Sequence, residues 1–341
     1  MIRVSTLDYV TFVRLYAWSW YKCGSFYWQA FYRSPRHFLR TFASDCSYFT
    51  AIDVLLGVLV ALVLTWLRLR LTKRYFLPLC HRLDTQPRML KKLPENFWKF
   101  GFYLTTWSWC WFVLAVRRPK LLVDPLSLWD DWDRETEVEW DVYLLYLAEF
   151  GFYLHSVYAT IYLDPHRKDF YVMLGHHAIT LSLIGVSFAN RHHLVGALVL
   201  YCHDFSDIFL ELWKINNNWR QRAGGRFYRF HDRAATVCFA IFISSWAYLR
   251  LYVFPLKVLY TALYGPALMR PDIFMTYWVV FSLKLTLLLV LDMYWLWLMV
   301  LGLYRLLVVG SYKEVDDYRE YSHSERETHS RENSRSLQRN H

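Results

Sequence analysis

Two short stretches carry side chains able to do chemistry in surroundings that are otherwise apolar. One is the adjacent pair His176-His177, inside MLGHHAITLSLIGVSFAN at 173–190. The other is His203-Asp204-Phe205-Ser206-Asp207, inside GALVLYCHDFSDIFLELWK at 196–214. An ionisable side chain is costly in hydrocarbon and tends to be kept there for function. An imidazole titrating near neutrality serves as a general base and, when neutral, as a nucleophile. A carboxylate beside it sets its tautomer and supports the imidazolium that forms. Such a set suits acyl transfer. An alkyl amine must lose a proton before it attacks, and a thioester brings an activated acyl group with a good leaving group.

These residues need elements that bring them to one depth. The chain has 341 residues, 55% hydrophobic and 20% aromatic. Its mean hydropathy of +0.12 averages long apolar runs with polar loops. About 20 mostly apolar residues cross a bilayer, and seven such segments can be drawn, at 49–67, 97–116, 140–162, 171–190, 193–213, 234–254 and 275–304. The expected fold is therefore all-α, a multi-pass transmembrane bundle of about seven spans. Residues 7–32, rich in Trp, Tyr and Phe but interrupted by Arg14 and Lys22, read as a helix lying in the membrane interface. Residues 312–341 read as a disordered charged tail. The organisation is an N-terminal aromatic segment 1–48, a first span with a basic loop 49–91, a catalytic membrane domain 92–310 and a tail 311–341.

Segments four and five flank a short turn near Arg191 and should form a tight antiparallel hairpin. At ~1.5 Å per residue, His177 before the turn and Asp204 and Asp207 after it are level to within about one helical turn. Asp204 and Asp207 share a helix face, and His203 is spaced to meet Asp207. His176 and His177 point about 100° apart, which suits different roles. Basic residues number 23 in the stretches after spans one, three, five and seven, against 13 on the other side. By the positive-inside rule the first set is cytosolic, with the C-terminal tail, and the N-terminus is lumenal.

A polar network can simply fasten two membrane helices, but this is a heavy polar load for that. Imidazoles and carboxylates also bind iron or zinc, yet His192-His193 falls at the opposite end of the hairpin, ~20 Å from His177 by helical rise, and cannot complete a His-rich site. The six cysteines show neither metal spacing nor a disulfide framework. The net charge of +10 is carried between apolar runs, so it points to membrane topology and not to nucleic acid.

The two stretches resemble the signature of the ceramide synthase family in the TLC-domain superfamily. The matching text runs Arg167-Lys-Asp-Phe-Tyr-Val-Met-Leu-Gly-His-His-Ala-Ile-Thr180 and then Gly196 to Lys214, flanked by Glu149-Phe-Gly-Phe-Tyr153 and Arg250-Leu-Tyr-Val-Phe-Pro255, over roughly 92–310. The resemblance implies N-acylation of a sphingoid long-chain base by fatty acyl-CoA in the endoplasmic reticulum membrane. It implies a cytosol-facing acyl-CoA entrance, acyl-CoA as co-substrate, no other cofactor and no metal. Membrane lipids are partners, and a homo- or heterodimer is allowed. By motif position His176 and His177 form the catalytic pair, with His203, Asp204 and Asp207 completing the cluster; Thr180, Ser206 and Arg250 are substrate-binding candidates, and so is His155, whose plainer reading is a satisfied core histidine. A non-enzymatic lipid-sensing or assembly protein of the same superfamily and a metal-dependent lipid oxidase or hydroxylase are the alternatives. The homeobox-like insert of some animal members is absent. Lys284 and Asp292 interrupt the last span; pairing across that span or with Arg250 is the plain use for them and substrate contact the sharper one.

Overall fold

A computed structural model of the chain describes residues 7–45, 49–130, 132–133, 135, 137–165, 167–269 and 278–309. The tail expected to be disordered lies outside these residues. Helix α1 is Tyr9–Arg33 and α2 is Pro35–Asp45. Helix α3 is Ala51–Arg82, and α4 is Leu93–Trp111 with a π turn at Phe112–Val116. Then come α5 Trp140–Tyr162, α6 Phe170–Ala189 and α7 His193–Trp219. Helix α8 runs through Arg229–Ser245, Trp246–Leu259 and Tyr260–Met269, and α9 is Trp278–Val309. Among the described residues the only β structure is one isolated bridge, Gln221 to Phe227.

Over the described residues each of the seven apolar segments is helical for nearly all of its length. Among the described residues five helices, α3, α6, α7, α8 and α9, are long and apolar enough to cross a membrane by length and composition. Helices α4 and α5, of 19 and 23 residues, are long enough, but Trp, Tyr, Glu95, Asp141 and Glu149 dilute their hydropathy.

Helix α3 begins with a capping box in which Thr50 and Asp53 satisfy each other's backbone N–H. Over its first 21 residues it buries a narrow stripe, Gly57, Ala61 and Arg68, leaving Ile52, Leu55, Leu62 and Trp66 exposed. Small residues let two membrane helices approach closely. A Cβ on Gly57 would stand 2.3 Å from Phe150, and one on Gly151 would stand 2.4 Å from Val60 Cγ1 and 3.2 Å from the backbone of Ala61. Gly151→Ala is therefore expected to force α3 and α5 apart at a cost of about 1–3 kcal/mol. A lower melting temperature of the detergent-purified protein would show it; an unchanged one would mean that the two helices separate freely.

Helix α7 is the hub. It packs most extensively on α4 and α8, and α6 leans on α5. The expected tight α6–α7 hairpin is thus corrected. The turn is present, with Arg191 in the left-handed region at φ 59°, but the helices diverge beyond it. Near the turn, Tyr146 of α5 ties them, bonding Ser187 Oγ at 3.0 Å and the carbonyl of His193 at 2.9 Å. Farther along, the rings of Tyr153 from α5 and Trp295 from α9 stand against His176 and hold space that α7 would otherwise fill.

Proline shapes α8. Pro255 lacks an N–H and crowds the carbonyl four residues earlier, which is Leu251. The helix widens into 14 residues of π geometry, and the Leu251 carbonyl accepts a hydrogen bond from the Tyr9 hydroxyl. The aromatic α1 packs along α8 and α9. Tyr9 meets Leu251, Tyr16 meets Thr286 at 2.9 Å, Trp18 packs on Tyr264 and Trp20 on Trp278. The contacts follow α8 and α9 lengthwise. Unsatisfied carbonyls and aromatic faces on those helices give α1 partners that an interface alone would not.

The loop before α5 covers the end of the bundle where the α6–α7 turn lies. Trp129 donates to the carbonyl of Thr261 at 3.0 Å, Trp132 to that of Arg191 at 3.1 Å, and both rings stand edge-on or tilted against His192. Beside them Arg118 clasps Asp141 at 2.9 and 3.1 Å. Partial burial would raise the carboxyl of Glu139, but hydrogen bonds from Arg118 and Arg117 hold it below its ordinary range.

Candidate active site

The site is assembled from α5, α6, α7, α8 and α9. On α6, His176 is half-buried and His177 is buried, with ring centroids 5.7 Å apart. The ring of Trp295 stands edge-on to His176 at 5.1 Å. Neither ring nitrogen of His176 is hydrogen-bonded to the described residues; Nδ1 is sealed off from solvent, and Nε2 is not. His177 Nδ1 lies 3.5 Å from Thr160 Oγ1. Of the two, His176 has the less encumbered imidazole.

Arg250 organises the other half. Its Nε donates to Ser206 Oγ at 2.9 Å, and Nη2 donates to the His203 carbonyl at 2.8 Å and to Asp207 Oδ1 at 2.7 Å. Nη1 donates to Asp292 Oδ1 at 3.3 Å, and the guanidinium lies 3.8 Å from the centre of the Trp246 ring. A buried guanidinium is tolerable only with its fork filled in this way. The wide π turns of α8 carry Arg250 to a point where α7 and α9 both reach it. Asp292 is thereby explained as the partner of Arg250 and of His203, whose Nε2 is 3.0 Å from Asp292 Oδ2.

The predicted residues fall into three groups. His176 and His177 stand together. His203, Ser206, Asp207 and Arg250 form the second group with Asp292; His203 Nδ1 also meets the Val199 carbonyl at 2.8 Å, so both its nitrogens are occupied. The spacing that let His203 meet Asp207 is not used, because Arg250 takes the carboxylate. Asp204 is fully buried and turned toward α4 and α5, 3.5 Å from Thr106 Oγ1 and beside Glu149. Asp204 and Asp207 are thus directed to different neighbours, and neither bonds the His176–His177 pair.

Two candidates lie elsewhere. His155 turns to the far side of α5, its Nδ1 2.8 Å from Thr65 Oγ1 and its ring edge-on to Trp98. The Thr180 hydroxyl bonds the His176 carbonyl within its own helix at 2.9 Å. The sequence reading passed over Tyr153, Trp295, Thr106 and Glu149 as site residues. Glu149 and Tyr153 are four apart and share the inner face of α5, so that spacing was an available signal; nothing local marked Trp295.

At the end of the bundle away from the turn, charged pairs ring the helix termini. Arg68 pairs with Asp164, Lys99 with Glu95 at 2.5 Å, Arg167 with Glu95 at 2.9 Å, and Lys214 with Glu211 at 2.6 Å. His177 is within electrostatic reach of Lys99, which places the imidazole pair toward this end.

Residues 92–301, which supply every helix of the site, match the family described as the TLC domain. Ceramide synthase 1 of Mus musculus is 41% identical over 285 residues, covering 84% of this chain and 80% of that protein. Ceramide synthase 1 of Homo sapiens is 41% identical over 273 residues, covering 80% and 77%. Ceramide synthase 4 of Mus musculus is 34% identical over 251 residues, covering 73% and 58%. The chain belongs to the ceramide synthase family. In this ceramide synthase family member the matched segment excludes α1, α2 and α3, so the helices that carry the imidazoles, the carboxylates and Arg250 all belong to the shared domain.

Proposed function

We propose that this multi-pass membrane protein transfers a fatty acyl group from acyl-CoA to the amine of a sphingoid long-chain base, releasing CoA and forming ceramide or dihydroceramide. Membership of the family supports the reaction class and both substrates. The observation that carries the site assignment is an imidazole pair inside an apolar bundle, with one ring nitrogen of His176 left open.

In this reading His176 Nε2 attacks the thioester carbonyl carbon, the C–S bond breaks, and the CoA thiolate takes a proton through His177. The amine then attacks the acyl-imidazole, the C–N bond to His176 breaks, and the amine proton returns to imidazole. Direct transfer is the second form: His176 takes the proton from the amine while nitrogen attacks the thioester. Asp207 acts through Arg250, which it locks in place, and not on the imidazoles themselves. The reading needs no metal; the nearby carboxylates Asp207 and Asp204 are directed to Arg250 and toward Thr106.

The charged end of the bundle is taken as cytosolic, in the endoplasmic reticulum membrane, with the C-terminal tail on the same side. The excess of Lys and Arg in the loops there supports this, and it suits the phosphates of CoA. Purified protein given acyl-CoA without amine is expected to gain the mass of one acyl group, removable by added long-chain base. A wild-type enzyme that makes amide but never carries this adduct under single-turnover conditions would establish direct transfer instead. Absence of amide formation from any acyl-CoA and long-chain base would overturn the proposed function.

A further inference from the structure

We propose that Tyr153 is a further catalytic residue of this site, its hydroxyl donating the hydrogen bond that the thioester carbonyl oxygen accepts as it gains negative charge. The proposal rests on the acyl-transfer reading above.

Tyr153 enters from α5 and stands between the two halves of the site. Its ring centroid is 6.2 Å from that of His176 and 6.0 Å from that of His177, edge-on to both. It is within electrostatic reach of Asp204, Asp207 and Arg250. The residue is only 6% exposed. A buried Tyr hydroxyl ordinarily finds a partner, and Tyr146, two turns earlier on the same face of α5, bonds Ser187 and the His193 carbonyl. The Tyr153 hydroxyl makes no hydrogen bond with the described residues, and it is not among the buried polar atoms sealed from solvent. It is a donor held beside two imidazoles with its partner left to be supplied.

The chemistry calls for such a donor. When nitrogen bonds the carbonyl carbon, the C=O π electrons move onto oxygen; when they return, the C–S bond breaks and sulfur leaves with the electron pair. Tyr153 keeps its proton throughout and contributes only the hydrogen bond, strongest while the oxygen is charged. A donor aimed at developing charge in a dry site acts on turnover more than on binding.

Tyr153→Phe removes the oxygen and keeps the ring that packs on both imidazoles. In purified enzyme it is expected to lower kcat for amide formation by about 100-fold, with KM for acyl-CoA within twofold of wild type and an unchanged melting temperature. A second variant, with 3-fluorotyrosine encoded at position 153, retains the hydroxyl and changes its acidity; its kcat should differ from wild type, which a packing role would not produce. Wild-type enzyme is assayed alongside. An active wild type with an equally active Tyr153→Phe, or a loss confined to KM, would overturn the assignment of Tyr153 alone. A wild type that forms no amide would overturn the acyl-transfer reading with it.

Discussion

Replacing His176 with Ala is expected to reduce amide formation by about 10²–10⁴-fold, the range for losing a positioned acid–base group, while the amount of folded protein persists. The expectation follows from what surrounds the ring. His176 is bonded to no other described side chain, so removing it breaks no ion pair and leaves no buried charge; its neighbours are the aromatic faces of Trp295 and Tyr153. The substitution should therefore separate catalysis from folding cleanly. The measurement is amide formed from acyl-CoA and long-chain base by purified variant and wild type at matched concentration, with gel-filtration profiles as the folding control. Equal rates would remove the assigned site. Trapping experiments add a second readout, since the acyl adduct expected on wild type should vanish with His176→Ala and survive substitution of a residue that acts only in the second half-reaction.

Arg250→Met should act in the opposite way, through the fold first. The side chain is buried and holds Asp207, Asp292, Ser206 and the His203 carbonyl at one point. Truncating one partner of a buried ion pair costs about 3–5 kcal/mol, because the remaining charge stays in a poor dielectric. Here two carboxylates lose their cation together, and α8 loses the Arg250 bonds to Ser206, Asp207 and the His203 carbonyl of α7 and to Asp292 of α9. The variant should melt far below wild type in detergent and form little or no amide. Removing the stranded charges as well, with Asp207→Asn and Asp292→Asn on the same background, should recover part of the melting temperature without recovering activity. A single Arg250→Met variant with wild-type stability would mean that the polar cluster is not the joint between these helices.

How far the sequence could be read depended on the distance over which each property is set. The helices were legible because an apolar run of the right length has to satisfy its backbone internally in lipid, and every segment drawn is helical over nearly all of its described residues. Where hydropathy is diluted by Trp and Tyr, as in α4 and α5, the segments drawn as spans are helical but fall outside the five described helices that are long and apolar enough to cross a membrane by length and composition. The depth of the site was legible from the α6–α7 turn, since rise per residue is nearly constant. Its lateral arrangement was not. Asp204 and Asp207 are about 60° apart around α7, and whether that separation matters depends on which helices stand beside α7. Arg250 and Asp292 could be suspected of pairing from their types, and they do.

What the amino-acid order determined by itself was the set of chemical groups, their spacing along each helix and the helices that carry them, because these follow from local periodicity and from the cost of placing charge in hydrocarbon. Only the packing of α5, α8 and α9 around α6 and α7 decided which carboxylate meets the guanidinium, which imidazole nitrogen stays open, and that His155 faces away. Those outcomes turn on helix rotation and separation, which are set by volume filling among distant segments: Tyr153 and Trp295 against His176, glycine against valine between α3 and α5, and a proline-widened α8 that carries Arg250 inward.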